Sequence, residues 1–352
     1  MVCKFQRFTI YLPDIILESS NHNSIKGGEA MTNQMSMEKT RKIKGKFLYQ
    51  KTKNGTVKKI IRNWQLYLFI LPALVYFLIF CYGPMYGIQI AFKDFIATKG
   101  IWGSPWVGFK HFRNFFGIHS FKIIIKNTLS LSIYALLAGF PMPIILALLL
   151  NEVKSNKFKK LVQNVTYAPH FISTVVMVGM IILFLSPNGI VNKFLGLWGL
   201  EPILFLTKAH YFSHIYVWTG IWQNVGWSSI IYLAALAGID PELHEAAIVD
   251  GATRMQRILH INIPGILPTM VILLILNAGG IMNVGFEKVF LMQNPLNLEV
   301  SEVISTYVYK VGLLDAKYSF SAAVGLFNTV INLILLITVN KIAKSVSDTY
   351  LW

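Results

Sequence analysis

Six long stretches that are almost free of charged residues constrain this chain more than any other feature. A hydrocarbon core about 30 Å thick is crossed by about 20 apolar residues in a helix, and each stretch is longer than that. Backbone groups have no water partner in lipid, so the stretches are expected to be helical. A transmembrane barrel would instead show segments of about 10 residues that alternate in polarity. The stretches are Trp64–Phe92, Asn127–Asn151, Leu161–Lys193, Tyr211–Ile239, Ile258–Phe286 and Tyr318–Asn340.

The composition agrees with a membrane protein built from these stretches. Of the 352 residues, 54% are hydrophobic and 14% are charged, whereas soluble domains carry about 25% charged residues. We therefore predict an all-α membrane protein with six transmembrane helices in one domain over residues 64–352. Within the third stretch the span is expected over Val162–Leu185, and within the fifth it is expected to start near Ile266.

The distribution of positive charge predicts the orientation of the chain. Residues 1–65 hold 13 Lys and Arg against 4 Asp and Glu. If the N-terminus is cytoplasmic, the cytoplasmic segments together hold 21 Lys and Arg and the outer segments hold 11, which is the bias that the positive-inside rule describes. The chain is thus expected to cross the plasma or inner membrane several times, with both termini cytoplasmic. Because more than half of the basic excess precedes the first span, a nucleic-acid partner is not expected.

The basic segment of residues 1–63 is expected to be a cytoplasmic tail that has no fold of its own. Met31 and Met37 are alternative start positions within it. Residues 1–30 are therefore a candidate start-site extension.

The segment between the fourth and fifth stretches reads as two short helices joined by a turn. Asp240 is a suitable N-cap and Pro241 suits the first helical position. Gly251 can adopt the left-handed conformation that ends a helix. A second short helix is expected over Thr253–Asn262, and Pro264 is expected at its junction with the fifth span.

This segment is too polar to enter lipid, and its small residues would let another surface approach closely. Ala246, Ala247 and Ala252 lie in and just after the first helix. We therefore interpret the segment as a rigid handle, held by two membrane helices, through which a partner moves them.

Residues 240–264 also carry a recognisable pattern: Glu-Ala-Ala, a Gly six residues after the Glu, and then Ile-x-Leu-Pro. It resembles the signature loop of the permease subunits of binding-protein-dependent ABC importers, with Ile263 where the family usually has Leu. The matching positions are Glu245, Ala246, Ala247, Gly251, Ile261, Ile263 and Pro264.

Further stretches are similar to the polysaccharide and oligosaccharide permease subgroup of the carbohydrate-uptake type. The similarity covers roughly residues 64–352. The stretches are Tyr167–Ser173, Ile221–Trp227, Asp240–Pro241 and Val284–Val289.

The resemblance implies a type I ABC importer permease fold with six spans, in which this loop is a cytoplasmic coupling helix. It implies that the loop docks on a dimer of ABC ATPase subunits, and that the solute is a sugar, expected to be an oligosaccharide or polysaccharide fragment. A second, similar permease subunit and an extracellular solute-binding lipoprotein are further expected partners. The implied ATPase-coupling residues are Glu245, Ala246, Ala247, Asp250, Gly251, Ile261 and Pro264.

The chain itself is not expected to be an enzyme or to bind a cofactor. It has no Gly-x-x-x-x-Gly-Lys-Ser/Thr phosphate loop, the motif that cradles nucleotide phosphates. ATP and Mg are therefore expected on the partner ATPase. No catalytic residue and no metal site is predicted, because no Cys/His cluster with ligand spacing is present.

A sugar path would combine aromatic platforms with amide and hydroxyl partners. The fourth and fifth stretches contain both kinds of residue. An interfacial tryptophan belt with ordinary hydrogen bonds between helices is the alternative explanation for the same residues. The candidate path residues are Trp218, Trp222, Asn224, Trp227, Tyr232, Asn277 and Asn283.

Two other functions remain open at this point. An ion-driven secondary transporter would normally need ionisable residues within its spans. A membrane-embedded transferase would need clustered carboxylates or a metal site near the interface. Disruption of Gly251 separates these alternatives from an importer subunit, because it should uncouple only the importer.

Overall fold

The computed structural model describes residues 62–346 and 350–351, without the side chain of Val346. The predicted tail of residues 1–63 lies outside the described residues, apart from Arg62 and Asn63. The described chain is helical, and its only β-type pairing is an isolated bridge between Lys93 and Trp106. The described chain divides into two compact units, with the boundary between Gly87 and Ile88.

The first helix, α1, covers Trp64–Tyr76 and contains Pro72. A π-helical turn follows over Phe77–Tyr82, then one α-helical turn over Gly83–Met85 and a 3-10 segment over Tyr86–Phe92. Together they form one uninterrupted helix, Trp64–Phe92, with the bounds predicted for the first span.

Residues 88–352 contain fifteen further α-helices among the residues that are described. Two of them, Arg254–Arg257 and Ile304–Tyr309, continue into π-helical turns over Ile258–Asn262 and Lys310–Leu314. The helices are α2 (Gly100–Gly103), α3 (Lys110–Gly117), α4 (Phe121–Gly139), α5 (Pro141–Glu152), α6 (Asn156–Tyr167), α7 (Thr174–Leu185), α8 (Ile190–Leu197), α9 (Ala209–Ala237), α10 (Pro241–Val249), α11 (Arg254–Arg257), α12 (Ile263–Gly279), α13 (Phe286–Met292), α14 (Leu298–Ser301), α15 (Ile304–Tyr309) and α16 (Tyr318–Val346).

Five helices of the described chain are long and apolar enough to cross a membrane. Helix α9 has 29 residues and is also long enough, but its polar side chains leave it outside these five. Five such helices together with α9 are compatible with six spans, and the count of six stays a prediction. The five are Trp64–Phe92, Phe121–Glu152, Thr174–Leu197, Arg254–Gly279 and Tyr318–Ser345.

The prediction of one continuous third span over Val162–Leu185 is wrong. Helix α6 ends at Tyr167, a 3-10 turn covers Ala168–Phe171, and α7 begins at Thr174. Pro169 has no backbone N–H to continue the helical ladder. Ser173 then caps α7 by accepting a hydrogen bond from the backbone N–H of Val176. Helix α7 covers Thr174–Leu185, so it ends where the predicted span ends and begins twelve residues later than predicted.

The fifth span agrees with the prediction at its start and differs at its end. The short helix that begins after Thr253 continues through Asn262 into α12, which begins at Ile263 with Pro264 in its first turn. The π-helical turn over Ile258–Asn262 lies directly before this proline. Its wider turn accommodates the missing hydrogen bond, as local π adjustments do at prolines in membrane helices. Phe286, predicted as the end of this stretch, begins the separate helix α13.

Helix α9 lies at the centre of residues 88–352 and packs on α4, α5, α6, α12 and α14. One apolar cluster joins α5, α9 and α12 through residues such as Leu148, Tyr232 and Ile266. A second cluster joins α4, α7, α9 and α13 through residues such as Leu131 and Val289. The two clusters hold α9 against the helices that surround it.

Candidate functional site

Helix α10 begins where the sequence predicts. The side chain of Asp240 accepts a hydrogen bond from the backbone N–H of Glu242, with Oδ1 3.0 Å from the nitrogen. Pro241 occupies the first helical position, where its missing N–H has no intrahelical partner to lose. Glu242 in the first turn interacts favourably with the positive end of the helix.

Helix α10 ends in a Schellman motif centred on Gly251. The N–H of Ala252 donates to the carbonyl of Ala247 at 2.8 Å, and the N–H of Gly251 donates to that of Ile248 at 3.1 Å. This pair of bonds satisfies carbonyls that the helix end leaves open. Gly251 has a φ of 77°, and no heavy atom lies within 4 Å of the position that a Cβ atom would take. A side chain there would thus strain the backbone without meeting a steric barrier.

Helix α11 begins at Arg254, and Thr253 before it forms a capping box. The hydroxyl of Thr253 accepts from the N–H of Gln256 at 3.4 Å, and the N–H of Thr253 donates to Oε1 of Gln256 at 2.7 Å. These reciprocal bonds satisfy two backbone donors at the start of the helix. The turn between α10 and α11 is therefore held on both sides.

The surface of this loop exposes apolar side chains. No residue of α10 is buried, and Val249 is 87% exposed, followed by Met255, Ile248 and Leu243. Of the predicted coupling residues, Glu245, Ala246, Asp250, Gly251 and Pro264 are exposed, and Ala247 and Ile261 are half-buried.

The two ends of the loop meet at a tight neck. A Cβ atom on Gly265 would lie 2.6 Å from Cδ1 of Ile239. Ile239 precedes α10 and Gly265 lies in α12, so a larger residue at position 265 would force the Ile239 side chain to move. Beside the neck, Asn262 is fully buried, and neither Nδ2 nor Oδ1 has a hydrogen-bond partner in the described chain.

A cavity of about 310 Å³ lies along α9. Its walls come from α4, α5, α7, α9 and α13, together with Gly285, which directly precedes α13. The lining residues are Ala135, Gly139, Pro143, Thr174, Tyr216, Val217, Gly220, Ile221, Gln223, Asn224, Val225, Ser228, Gly285 and Lys288.

Lys288 is a cavity residue that the sequence reasoning missed. It is 8% exposed, its Nζ donates to the carbonyl oxygen of Tyr216 at 3.0 Å, and Nζ lies 5.0 Å from the centroid of the Tyr216 ring. Burial lowers the pKa of Lys288 to about 8. The signal was present in the sequence, because this lysine directly precedes the apolar run Val289–Met292.

Amides on α9 join the cavity to the break between α6 and α7. Nε2 of Gln223 donates to the carbonyl of Ile172 at 3.1 Å. Nδ2 of Asn224 donates to the carbonyl of Gly220 at 3.0 Å, and its Oδ1 lies 3.1 Å from Nδ1 of His170. The 3-10 turn that interrupts the predicted third span thus forms part of the cavity's surroundings.

The three tryptophans predicted for the path do not line the cavity, and each is about half exposed. Nε1 of Trp218 donates to the hydroxyl of Tyr134 at 2.9 Å. Trp227 stacks on the ring of His170, with centroids 4.6 Å apart and planes 3° apart. Only Asn224 of the seven predicted path residues lines the cavity.

The other predicted path residues lie elsewhere. Tyr232 is 3% exposed within the apolar cluster of α5, α9 and α12. Asn277 is exposed on α12. Oδ1 of Asn283 accepts from Nδ2 of Asn328 at 3.0 Å and from Nδ2 of Asn332 at 3.1 Å, so it ties the end of α12 to α16.

A second cavity, of about 740 Å³, lies between residues 94–118 and residues 307–320. Asp94 pairs there with Lys110 at 2.7 Å and with His111 at 2.9 Å. The hydrogen bond from Lys110 is the largest effect that lowers the pKa of Asp94. Within the described residues no group of three or more His, Cys, Asp or Glu side chains is placed to hold a metal ion.

Comparison with known proteins shows where this architecture occurs. The crystal structure of a bacterial ABC transporter involved in the import of the acidic polysaccharide alginate contains a chain with a TM-score of 0.77 and 45% identity, covering 82% of this chain and 98% of that chain. A second crystal structure shows the bacterial alginate ABC transporter in complex with an alginate pentasaccharide-bound periplasmic protein. Its chain also gives a TM-score of 0.77 and 45% identity, covering 84% of this chain and 99% of that chain.

Two proteins of Bacillus subtilis (strain 168) are similar over most of their length. Protein LplB is 46% identical over 284 residues, which are 80% of this chain and 89% of LplB. The polygalacturonan/rhamnogalacturonan transport system permease protein YteP is 45% identical over 291 residues, which are 82% of this chain and 91% of YteP.

The family described as "binding-protein-dependent transport system inner membrane component" matches residues 139–348, more than half of the chain. The match includes the capped loop of α10 and α11, and it confirms the resemblance derived from that loop. This chain therefore belongs to the family of inner membrane components of binding-protein-dependent transport systems, and it is a membrane-embedded transport subunit.

Proposed function

We propose that this chain is a membrane-spanning subunit of an ATP-driven importer of oligosaccharides, and that residues 240–264 couple it to a separate ATPase. The observation that carries the proposal is helix α10, which is capped at both ends, has no buried residue, and exposes apolar side chains outside the apolar helices. Exposed apolar patches of this kind mark interaction sites.

The loop has the rigidity that a coupling element needs. The cap at Asp240 and the Schellman motif at Gly251 fix both ends of α10. The neck between Ile239 and Gly265 holds the loop against the start of α12. Because the helix from Arg254 to Gly279 is uninterrupted, a displacement of the loop is carried into a membrane span and is not absorbed by a flexible joint.

The proposed ATPase contact combines small, acidic and apolar residues. Ala246, Ala247 and Gly251 allow close approach, while Glu245 and Asp250 offer carboxylates to basic side chains of the partner. ATP and Mg would bind to the ATPase dimer, and this chain would carry the motion. A loop that docks on the ATPase must face the cytoplasm, and both termini would then lie on the same side. The distribution of Lys and Arg along the chain agrees with this orientation.

The solute proposal rests on the cavity beside α9 and on the relatives. Amide and hydroxyl groups of Gln223, Asn224, Ser228 and Thr174 line the cavity, and such groups hydrogen-bond to sugar hydroxyls. The relatives' names describe carriers of polygalacturonan, rhamnogalacturonan and alginate. We propose that a second permease subunit completes the path and that an extracellular solute-binding lipoprotein delivers the sugar.

The coupling proposal is tested with a matched pair of glycine variants. Gly251 and Gly199 have φ values of 77° and 73°, and neither has an atom within 4 Å of the position that a Cβ would take. Valine strains both backbones equally. We expect Gly251→Val to reduce copurification of the ATPase and sugar uptake by about tenfold or more, while Gly199→Val retains both.

A second pair avoids backbone strain. Ala246 and Ala97 are both exposed, so Trp at either position adds bulk without filling the core. Ala246→Trp should block ATPase docking and Ala97→Trp should not. Equal ATPase association by all four variants, or labelling of residue 245 from outside intact cells, would overturn the proposed coupling.

A further inference from the structure

The cavity beside α9 contains one charged group among the described residues that line it. Lys288 is that group, and the other polar lining residues are neutral amides and hydroxyls. A neutral sugar needs only hydrogen-bonding groups and apolar faces. The buried ammonium is therefore a feature that sugar binding in general does not explain.

The ammonium of Lys288 has unused hydrogen-bonding capacity. It carries three N–H donors, and one of them donates to the carbonyl of Tyr216. No carboxylate of the described residues lies within 4.0 Å of Nζ in an ion pair. The carbonyl dipole and the aromatic ring of Tyr216 stabilise the charge, but no carboxylate of the described residues neutralises it.

The space next to the ammonium is kept open by a glycine. A Cβ atom on Gly220 would lie 3.4 Å from Nζ of Lys288. Alanine would make an ordinary van der Waals contact there, and a longer side chain at position 220 would extend into the space beside the charge. Gly220 and Lys288 both line the cavity, so a ligand in the cavity can reach Nζ.

Burial of an ammonium without a counter-ion is unfavourable. The pKa of Lys288 is accordingly lowered, but at about 8 it still leaves the side chain mostly protonated at neutral pH. A ligand anion that enters the cavity would recover the lost solvation by pairing with the ammonium. The neutral amides of Gln223 and Asn224 lie on the same wall, where they can bind hydroxyls of the same ligand.

We infer that the solute of this importer is an acidic oligosaccharide, and that Lys288 binds a uronate carboxylate as the chain passes the cavity beside α9. The inference rests on the proposed function, since it assumes that this cavity belongs to the sugar path. It adds the chemical class of the solute and the residue that recognises the charge.

The test compares two probes that differ only at their carboxyl groups, which are charged in one and neutral in the other. One is a trimer of galacturonic acid, and the other is the same trimer with every carboxyl methyl-esterified. Uptake of each is measured in proteoliposomes that contain the whole importer with its ATPase, partner permease and binding protein. For each probe the rate of a variant is divided by the wild-type rate, so that the preference of the binding protein cancels.

We expect Lys288→Gln to reduce uptake of the acidic trimer about tenfold or more and to leave uptake of the ester within about twofold. Lys288→Arg keeps the positive charge and should restore much of the acidic uptake. Lys208→Gln is the matched control, because Lys208 is exposed and lies outside the cavity. Lys208→Gln should keep the wild-type basal hydrolysis rate and the uptake of both probes, and copurification of the ATPase checks that each variant complex assembles.

Three results would overturn the inference. They are an equal loss of both probes in Lys288→Gln, an unchanged uptake of the acidic trimer in that variant, and a wild-type importer that carries neutral oligosaccharides but not the acidic trimer. The last result would leave the proposed sugar importer intact. A wild-type complex that hydrolyses ATP but carries no oligosaccharide would overturn both sugar proposals and leave only the coupling role of residues 240–264.

Discussion

The loop of residues 240–264 and the cavity beside α9 are built in opposite ways. The loop is continuous in sequence, and α10 has no buried residue. The cavity takes its walls from residues spread between Ala135 and Lys288, and it includes the 8% exposed ammonium of Lys288. Local capping stabilises the loop, and packing between residues distant in sequence stabilises the cavity.

Because the two regions are held by different contacts, changes in them should affect different measurements. A change on the loop should alter association with a partner and leave the stability of the membrane domain nearly unchanged. A change in the packing around the cavity should alter stability first, because the same contacts hold α9 in place. The following predictions test this division.

The largest effect is expected from Gly226→Leu, at the packing behind the cavity. A Cβ atom on Gly226 would collide with the backbone of Thr166 and the ring of Tyr167, and backbone atoms cannot move aside as a flexible side chain can. We expect a loss of stability of about 4 kcal/mol, or a chain that does not fold. Thermal unfolding of the purified protein in nanodiscs measures this.

Gly179→Leu serves as its control. Gly179 also lies inside a helix, is exposed, and has no atom within 4 Å of the position that a Cβ would take. If the two variants unfold at the same temperature, the close contact between α9 and α6 does not support the cavity.

An intermediate effect is expected from the titration of Lys288. The pKa of Lys288 is lowered from 10.5 to about 8 by burial. Below pH 8 both the folded and the unfolded chain carry the proton, so the cost of burying the charge is fully present. Between about pH 8 and 10.5 the unfolded chain binds more protons, so the free energy of unfolding rises with pH, by about 2 to 3 kcal/mol in total.

The measurement is the unfolding temperature of wild type relative to Lys288→Gln at pH 7, 8, 9 and 10. Subtracting the variant removes the contribution of the tyrosines and other lysines. If the difference in unfolding temperature does not change over this pH range, water solvates the ammonium of Lys288 in the folded protein. The cavity would then be as accessible to water as the exposed loop.

The smallest effect on stability is expected from Asp240→Ala at the start of α10. It removes the side-chain acceptor for the N–H of Glu242, which is worth about 1 kcal/mol to the local helix. Because α10 buries no residue, the unfolding temperature of the whole domain should hardly change. ATPase association should weaken by about fivefold.

Hydrogen exchange of residues 241–249 detects the local fraying. Asp240→Asn keeps a capping oxygen and should behave like wild type. A large drop in global stability for Asp240→Ala would show that the loop unfolds together with the core and is not held by local capping alone.

The sequence predicted the loop in detail because local rules govern it. Asp240, Pro241 and Gly251 each act through backbone groups a few residues away, so their order along the chain suffices. The first span was also predicted with its bounds, since an uninterrupted apolar run has one favourable structure in lipid. The roles of the predicted coupling residues remain predictions.

The cavity could not be predicted in the same way. Tyr232 and Asn224 lie eight residues apart on α9, yet one is in an apolar cluster and the other lines the cavity. Helix α9 is packed on several sides, so residue type alone does not tell which face meets a cavity and which meets another helix. The position of Lys288 in the cavity was not predicted, because its hydrogen-bond partner, the carbonyl of Tyr216, lies 72 residues away in the sequence.

From the sequence alone the chain could be recognised as a helical membrane protein of a transport family, with a doubly capped handle between two apolar helices. Those properties depend on apolar length and on contacts between near neighbours in the chain. The tertiary structure was needed to show that Ile239 meets Gly265 and that Lys288 faces a cavity. These contacts bring side chains against residues that are distant in sequence, and no local pattern records such distances.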